Sequence, residues 1–240
     1  MPVYDRGGAT EFEVIDEWEA GVGWVAHPDE EGRRASHAIH GENGDVWLFD
    51  PLDAPGVESL YDELGPVAGV AVFSDWHTRD AAVFASRHDV PVFVPSWLDR
   101  VADKLHAADE SVDVVRYDRD LGTSGFEVRR VDPFPGWHEA VAYRDSDETL
   151  YAADVLGTVM GSTVGDERVG FFLLLRPAPP VAPFVDRHPE RILVGHGAGV
   201  FDDATAALTD AVTGARRRFP RTLANYGVTQ FRGLVGALWN

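Results

Sequence analysis

Short strand-like runs, followed by units in which a strand leads into a helix, set the narrowest limit on the fold. Two β-rich stretches occur, from "VGWVAHP" to "VWLFDP" and from "VDVVRY" to "DETLYAAD", and strand–helix units follow each of them. Asn43-Gly44 in "GENGD" predicts a hairpin turn between two strands of the first stretch. Because sheets and helices must bury their apolar faces against another layer, this order predicts an α/β (α+β) protein. We expect two sheets covered by helices, in one domain spanning residues 1–240.

Three helices bear on later comparisons with the structure. "GVESLYDELG" predicts a short amphipathic helix over residues 56–65. Near the C-terminus, one helix is predicted over residues 202–219 and a final one over residues 221–238. The final segment carries the large apolar side chains Phe231, Leu234, Leu238 and Trp239. These fit core packing and a contact in a homodimer equally well.

The charge balance restricts the partners of the chain. Forty acidic residues stand against 21 basic ones, giving a net charge of −19, and Lys104 is the only lysine. Because affinity for phosphate backbones comes largely from Lys and Arg, we expect no nucleic-acid partner. The acidic residues are dispersed rather than gathered in a tail. This usage is typical of halophilic archaeal proteins, whose self-repulsion is screened by molar salt.

The absence of cysteine limits the chemistry and the compartment. It removes disulfides, thiolate catalysis and cysteine-based zinc motifs. The first residues, "MPVYDRGGATEFEV", lack the basic and apolar regions of a signal peptide. No window approaches the length of uninterrupted apolar sequence that a membrane span needs. The sequence therefore predicts a cytoplasmic protein with no membrane contact.

Metal-capable side chains follow several of the strand-like runs. His77 comes after "GVAVF", Asp154 after "LYAA" and His196 after "ILVG", while His138 precedes a hairpin strand. Strand ends are where residues distant in sequence are assembled into sites. Taken singly, each histidine is more readily explained as a surface or core residue. Together with carboxylates and without cysteine, they suit Zn²⁺, Mn²⁺ or Fe²⁺, which lower the pKa of a bound water.

The order and spacing of four segments resemble the metallo-β-lactamase fold superfamily. "DWHTRD" stands where that family has His-x-His-x-Asp-His, and "PGWHEAV" where it has Gly-His. "LYAADVLG" resembles the segment with the bridging Asp, and "ILVGHGAGV" the terminal His loop. The resemblance spans about residues 22–212 and implies an αββα four-layer sandwich. It also implies hydrolysis by a metal-bound water, with family substrates that include lactams, thioesters, phosphodiesters and other esters.

The resemblance also assigns ligands. One metal position would use Asp75, His77 and His138, with Asp154 alongside. Trp137 is inserted between the Gly and the His of the second segment, so the sequence leaves open whether His138 reaches the family's ligand position or is displaced from it.

The second metal position would need Arg79, Asp80 and His196 together with Asp154. Arginine remains charged and cannot act as a ligand. We therefore expect at most one divalent ion, Zn, Mn or Fe, and no second metal. Arg79 is expected to pair with Asp80 or Asp154 instead, in place of the missing cation.

Several interpretations remain open from the sequence. Thr78 as a helix N-cap and Asp80 in the first helical turn would explain the "DWHTRD" segment without any metal. If a metal is bound, the chain is a mononuclear hydrolase of an ester- or thioester-type small molecule. If none is bound, it is a non-catalytic binding or assembly module with a protein partner. A third interpretation is an enzyme without metal, built on a buried His–Asp pair in the strand-end cleft.

Overall fold

A computed structural model describes the protein over residues 3–238, with side chains described for residues 3–227. The strands of these residues are β1 Glu13–Trp18, β2 Gly21–Val25, β3 Ala35–His40, β4 Val46–Phe49, β5 Val67–Ala71, β6 Val92–Pro95, β7 Val114–Tyr117, β8 Glu127–Val131, β9 Glu139–Arg144, β10 Thr149–Ala152, β11 Leu156–Gly157, β12 Gly170–Phe171 and β13 Arg191–Val194. The α-helices are α1 Ala81–His88, α2 Asp99–Ala108 and α3 Ala204–Leu238.

The first sheet contains the strands β1 to β7 in sequence order. Strands β1 to β4 are antiparallel neighbours, and β3 pairs with β4 from His37↔Phe49 to His40↔Val46. The predicted hairpin lies between these two strands, and Gly44 takes the left-handed φ of 77° that such a turn requires. Strands β4 to β7 are parallel, so each connection crosses over to return the chain to the same end of the sheet. The β4–β5 connection contains the 3₁₀-helix Val57–Leu60, and α1 and α2 form the next two.

The second sheet has the order β13-β10-β9-β8. Strands β8, β9 and β10 are antiparallel, whereas β13 runs parallel to β10. In that parallel pair, Ala152 lies opposite Val194. The carboxyl ends of β10 and β13 therefore lie side by side, and this register positions the candidate site.

The two sheets pack face to face, with helices on both outer faces. Aromatic residues fill the space between the sheets, including Trp47, Phe49 and Phe73 from the first and Tyr151 from the second. Helices α1 and α2 cover the outer face of the first sheet, and α3 covers that of the second. Each fully buried large apolar side chain contributes about 1.5–3 kcal/mol to this arrangement. The predicted αββα four-layer architecture is confirmed.

The structure departs from the sequence-based prediction in three elements. The segment over residues 56–65 forms a 3₁₀-helix, Val57–Leu60, and turns, rather than an α-helix. The strand β1 is not predicted from the sequence. The two C-terminal helices are one continuous helix, α3, which contains Pro220. Pro220 removes one backbone donor, and it lies at an exposed position with helical backbone on both sides of it.

Two expectations concern surfaces beyond this architecture. The side chains of Phe231, Leu234, Leu238 and Trp239, which prompted the expectation of a homodimer, lie outside the described side chains. Among the described residues, no helix combines the length and the apolar character that a membrane crossing requires.

Candidate metal centre

Three strand ends bring His77, Asp154 and His196 together. Asp154 and His196 each lie two residues beyond the paired Ala152 and Val194, so the parallel register places them side by side. His77 arrives from the first sheet in the loop between β5 and α1.

That loop is fastened to the second sheet by its backbone. Phe73 O accepts a hydrogen bond from Ala140 N at 2.7 Å, and Asp75 N donates to His138 O at 3.1 Å. Ser74 also forms an isolated antiparallel bridge with Glu139. The loop therefore carries His77 across the gap between the sheets to the other two residues.

The two imidazoles face a single carboxylate oxygen. Oδ1 of Asp154 lies 3.0 Å from Nε2 of His77 and 3.1 Å from Nε2 of His196. The three potential ligand atoms lie within 4.8 Å of one another. The side chains of His77, Asp154 and His196 are 6%, 16% and 12% exposed, so the centre is largely shielded from water.

The other ring nitrogen of each histidine is held by an acceptor. Nδ1 of His196 lies 2.7 Å from Gly32 O, and a carbonyl cannot donate, so Nδ1 carries the proton. Nδ1 of His77 lies 3.2 Å from Oδ2 of Asp50. Metal-bound histidines almost always donate their other N–H to a carboxylate or a carbonyl in this way. With Nδ1 protonated, each Nε2 presents a lone pair toward Asp154 unless a second proton or a cation lies between them.

Asp50 is itself fixed as an acceptor. Its Oδ2 receives the hydroxyl of Tyr151 at 2.6 Å, and its Oδ1 receives Phe73 N at 3.2 Å. Asp50 is fully buried and takes a left-handed φ of 44°. Backbone strain of this kind persists where the surroundings over-determine a residue, often at a functional site.

The charges of the cluster are strongly coupled. Burial and the positive charge of Arg79 lower the pKa of His77, but the charges of Asp154 and Asp50 outweigh both and raise it to about 8. Burial would raise the pKa of Asp154, but the imidazoles of His77 and His196 hold it well below its usual range. Without a metal, His77 therefore retains its second proton at neutral pH and Asp154 stays ionised.

Asp154 is positioned by two further residues. Ser74 Oγ donates to its Oδ2 at 2.6 Å. The buried carboxylate Oε1 of Glu139 accepts the backbone amides of Asp154 and Val155 at 2.8 and 3.0 Å. Burial and the charge of Asp154 raise the pKa of Glu139 to about 8. The carboxylate of Asp154 is consequently held by contacts on its backbone and on both of its oxygens.

Arg79 does not form the ion pair that was expected of it. Among the described residues, neither Asp80 nor Asp154 pairs with its guanidinium, which donates to three backbone carbonyls, those of Ala35, Asp50 and Gly195. These carbonyls lie at strand ends around the centre. They take up the N–H groups of Arg79 that an ion pair with Asp80 or Asp154 would need.

The guanidinium of Arg79 nevertheless lies beside the cluster. Its NH2 group is 3.5 Å from Nε2 of His77. Arg79 takes a left-handed φ of 42°, and its Nε is buried without a partner in the described part of the chain. A permanent positive charge thus stands next to the imidazole.

His138 lies outside the cluster. Its Nδ1 bonds to Oδ1 of Asp132 at 2.8 Å, and its side chain is 35% exposed. The adjacent Trp137 is buried instead and donates to Oε2 of Glu139 at 3.1 Å. The inserted Trp137 occupies the inward position, and His138 contributes its backbone carbonyl to the loop that carries His77.

Asp75 and Asp80 are also engaged elsewhere. Asp75, whose pKa is raised by burial, accepts Val101 N at 3.2 Å. Asp80 accepts Asp53 N at 2.7 Å. The group of potential ligands found among the described residues contains neither of them.

The predicted N-cap is also displaced. Helix α1 begins at Ala81 with Asp80 as its N-cap residue, and the Asp80 side chain makes no capping bond. The Thr78 hydroxyl is buried without a hydrogen-bond partner among residues 3–227. Helix capping by Thr78 therefore does not explain the polar residues of this segment.

Sequence reasoning missed Asp50, Glu139 and Tyr4. Asp50 carries the same signal as Asp154, a carboxylate directly after an apolar strand, and could have been found from it. Glu139 lies at the start of β9, where an acidic residue gives no distinguishing pattern. The ring of Tyr4 lies 6.1 Å from that of His196, although the two are far apart in sequence.

Comparisons with known proteins identify the fold. No family model and no curated protein matches the chain. Among solved structures, DIM-1 metallo-β-lactamase superposes with a TM-score of 0.57 and 12% identity, covering 86% of this chain and 98% of that one. A putative diflavin flavoprotein from Nostoc sp. PCC 7120 gives 0.57, 15% identity, and 87% and 98% coverage. FIM-1 from Pseudomonas aeruginosa, in its mono-zinc form, gives 0.53, 11% identity, and 88% and 99% coverage. The chain therefore has the metallo-β-lactamase fold.

Proposed function

We propose that the protein is a mononuclear metal-dependent hydrolase whose metal is held by His77, Asp154 and His196. The observation that carries this proposal is the pair of Nε2 atoms facing one carboxylate oxygen while both Nδ1 atoms are held by acceptors. Two imidazole nitrogens and a carboxylate oxygen suit Zn²⁺, and Mn²⁺ or Fe²⁺ after it. Catalytic zinc sites use three protein ligands and keep one position open.

The chemistry of such an ion is the generation of a nucleophilic water near neutral pH. The chain's own residues orient the ligands around it. Asp50 and Gly32 O fix the two imidazole rings, Ser74 fixes the free oxygen of Asp154, and Glu139 fixes the Asp154 backbone. These contacts preorganise the donor atoms, so little reordering is needed when the ion binds.

Arg79 supports a count of one metal. Its guanidinium stands beside His77 and contributes a fixed positive charge there. Unlike a metal, this charge cannot be removed by a chelator. The positive charge of Arg79 therefore takes the place of a second cation. Backbone carbonyls, rather than an ion pair, hold the guanidinium in this position.

The substrate class is proposed from the fold and the charge. Ester- or thioester-type small molecules agree with hydrolysis by an activated water, and the net charge of −19 opposes nucleic acid. A cytoplasmic, salt-adapted setting and a single domain over residues 1–240 remain predictions from the sequence.

One observation favours a second function, a non-catalytic binding or assembly module without metal. Arg79 NH2 lies 3.5 Å from His77 Nε2, where its charge repels a divalent ion. With His77 protonated and Arg79 nearby, the charge of Asp154 would be balanced by protein groups alone. The third interpretation from the sequence, an enzyme without metal, would use the same His77–Asp154 pair.

Metal content separates these functions. The protein is purified in high salt without chelator or polyhistidine tag, supplied with Zn²⁺, Mn²⁺ or Fe²⁺, and analysed by elemental mass spectrometry. We expect about one ion per chain in the wild type and in His138→Ala, and almost none in His77→Ala and His196→Ala. His138 is a matched control because it is a histidine next to the centre that bonds elsewhere. Folded wild-type protein without metal under all these conditions would overturn the metal-dependent hydrolase and leave the two interpretations without metal.

A further inference from the structure

The N-terminal strap, residues 3–5, lies against the loop over residues 30–34. Gly32 N donates to Val3 O at 2.9 Å, Asp5 N donates to Oε2 of Glu30 at 3.0 Å, and Arg34 NH2 donates to Asp5 O at 2.6 Å. Hydrogen bonds to the backbone of Val3 and of Asp5 thus fix the strap on both sides of Tyr4.

The anchor of the strap is a buried ion pair. Glu30 is 1% exposed, and its carboxylate accepts Arg34 N and Nε, both at 2.8 Å. Burial would raise the pKa of Glu30, but Arg34 holds it below its usual range. Because the carboxylate is ionised and its geometry is fixed from several sides, the strap has a defined position.

The ring of Tyr4 lies between this anchor and the candidate centre. Its centroid is 6.1 Å from that of His196, and the guanidinium of Arg34 lies over it at 5.6 Å. A Cβ atom at position 32 would lie 2.5 Å from Cε1 of Tyr4, so this placement requires Gly32. Gly32 also supplies the carbonyl that orients His196.

The electrostatics agree with a position close to the centre. Burial, and then the negative charges of Asp154 and Glu30, raise the pKa of Tyr4 to about 12. The phenol is therefore a neutral donor at every physiological pH. It adds no charge to the cluster, so what it contributes is the bulk of its ring and one hydroxyl.

We propose that Tyr4 is the outer wall of the His77–Asp154–His196 centre, closing its His196 side to bulky ligands and so restricting it to small ones. This inference rests on the proposed function for the identity of the ligand. The closure itself rests on the strap contacts, and it is testable whether or not a metal binds. The wall is the aromatic ring rather than the hydroxyl, since the ring is the part in contact with Gly32 and faces His196.

The first experiment measures closure without metal. Metal-free protein is treated with diethylpyrocarbonate, and modification of each histidine is followed by mass spectrometry. In the wild type, His196 can react only when the Tyr4 ring moves away from it. Tyr4→Ala removes the ring, so we expect His196 to react at least about tenfold faster than in the wild type. Tyr4→Phe keeps the ring and should react like the wild type. The exposed His138 serves as the internal reference in every sample.

A second variant guards against a loss of folding in Tyr4→Ala. Gly32→Ala retains Tyr4 but introduces the Cβ atom that its ring excludes. It should expose His196 to the same degree, while His138 reacts unchanged. Unaltered His196 reactivity in both variants, with folding verified by circular dichroism, would overturn the inference.

The second experiment measures access of a bulky ligand to the metal. Zinc-loaded protein is mixed with 4-(2-pyridylazo)resorcinol, and zinc transfer is followed by absorbance. Transfer should be faster in Tyr4→Ala than in the wild type and in Tyr4→Phe, with equal zinc affinity at equilibrium. Equal transfer rates in all three proteins would overturn the wall. If the wild type binds no zinc, the proposed function fails, whereas the His196 reactivities still decide the closure.

Discussion

The carboxyl ends of β10 and β13 in the second sheet direct both of their metal-capable residues, Asp154 and His196, into the centre. The loop between β5 and α1, which leaves the first sheet, carries the same kinds of side chains but directs only His77 there. Asp154 and His196 follow parallel strands in fixed register and reach the same point. In the loop that supplies His77, Asp75 and Asp80 accept backbone amides instead. The comparison teaches that strand pairing determines where a donor points, whereas a loop can convert donors into structural supports.

Replacing the shared carboxylate should produce the largest effect. In Asp154→Asn, two imidazoles lose the negative charge that they face, so we expect a loss of metal binding and a fall of about 3 kcal/mol in the free energy of unfolding. Asp75→Asn, in the loop, should cost about 1 kcal/mol through a weaker bond to Val101 N and should leave metal binding intact. Urea unfolding and zinc titration measure both. Equal losses in the two variants would erase the difference between the strand ends and the loop.

Removing the guanidinium of Arg79 tests what this residue contributes to the loop between β5 and α1. In Arg79→Met, three backbone carbonyls lose their donor, and we expect a fall of about 2 kcal/mol in the free energy of unfolding. Because a positive charge beside His77 disappears, zinc affinity should rise by about tenfold. Isothermal titration calorimetry of the folded variant provides the comparison. A lower zinc affinity would show that Arg79 supports the ligands instead of standing in for a cation.

The pH dependence of stability sharpens the role of His77. Its pKa of about 8 in the folded protein lies above its ordinary value of 6.5, so the folded state binds the proton more tightly than the unfolded chain. The resulting stability is present below pH 6.5 and is lost as the pH rises through 8, an effect of about 1–2 kcal/mol for metal-free protein. Glu139, whose pKa is also raised, acts in the same direction from lower pH.

Urea unfolding at a series of pH values measures this loss. His77→Gln should reduce the slope of the profile between pH 6.5 and 8 to the part that Glu139 contributes, and His138→Gln should leave the slope unchanged. Zinc affinity should show the opposite trend, rising with pH, because the metal competes with the proton on His77. A profile that is unchanged in His77→Gln would contradict the proton assignment.

The smallest effect belongs to the histidine that the resemblance placed in the site. His138→Ala removes an exposed pair with Asp132, and we expect a change below about 0.5 kcal/mol in the free energy of unfolding. Thermal and urea unfolding are sensitive enough to detect a larger change. A loss of zinc in this variant would place His138 in the centre after all.

The sequence predicted the layers and the strands well where the pattern is local. Apolar runs of strand length and the Asn43-Gly44 turn depend on neighbours within a few residues, whereas the amphipathic pattern of residues 56–65 did not suffice to form an α-helix. The αββα order followed from them and from the resemblance. The merging of the two C-terminal helices into α3 was not predicted, because whether Pro220 ends the helix depends on the surrounding turns rather than on the residue itself.

The candidate centre was predictable only in part. Spacing after strands identified His77, Asp154 and His196, whose positions follow from the strands that precede them. It could not reveal that Trp137 takes the inward place beside His138, because that depends on how Trp137 packs into the core beneath α3, which is built from residues distant in sequence. Nor could it place Tyr4, which reaches His196 through bonds between the strap and a distant loop.

The hydrogen bonds around Asp154 bear on whether folding of the chain depends on a metal. Small zinc domains obtain their folding energy from the ion and collapse without it. Here, Ser74 and the two imidazoles lie within hydrogen-bonding distance of the carboxylate, and the apolar cores are built from other residues. We therefore expect the chain to fold before any metal binds.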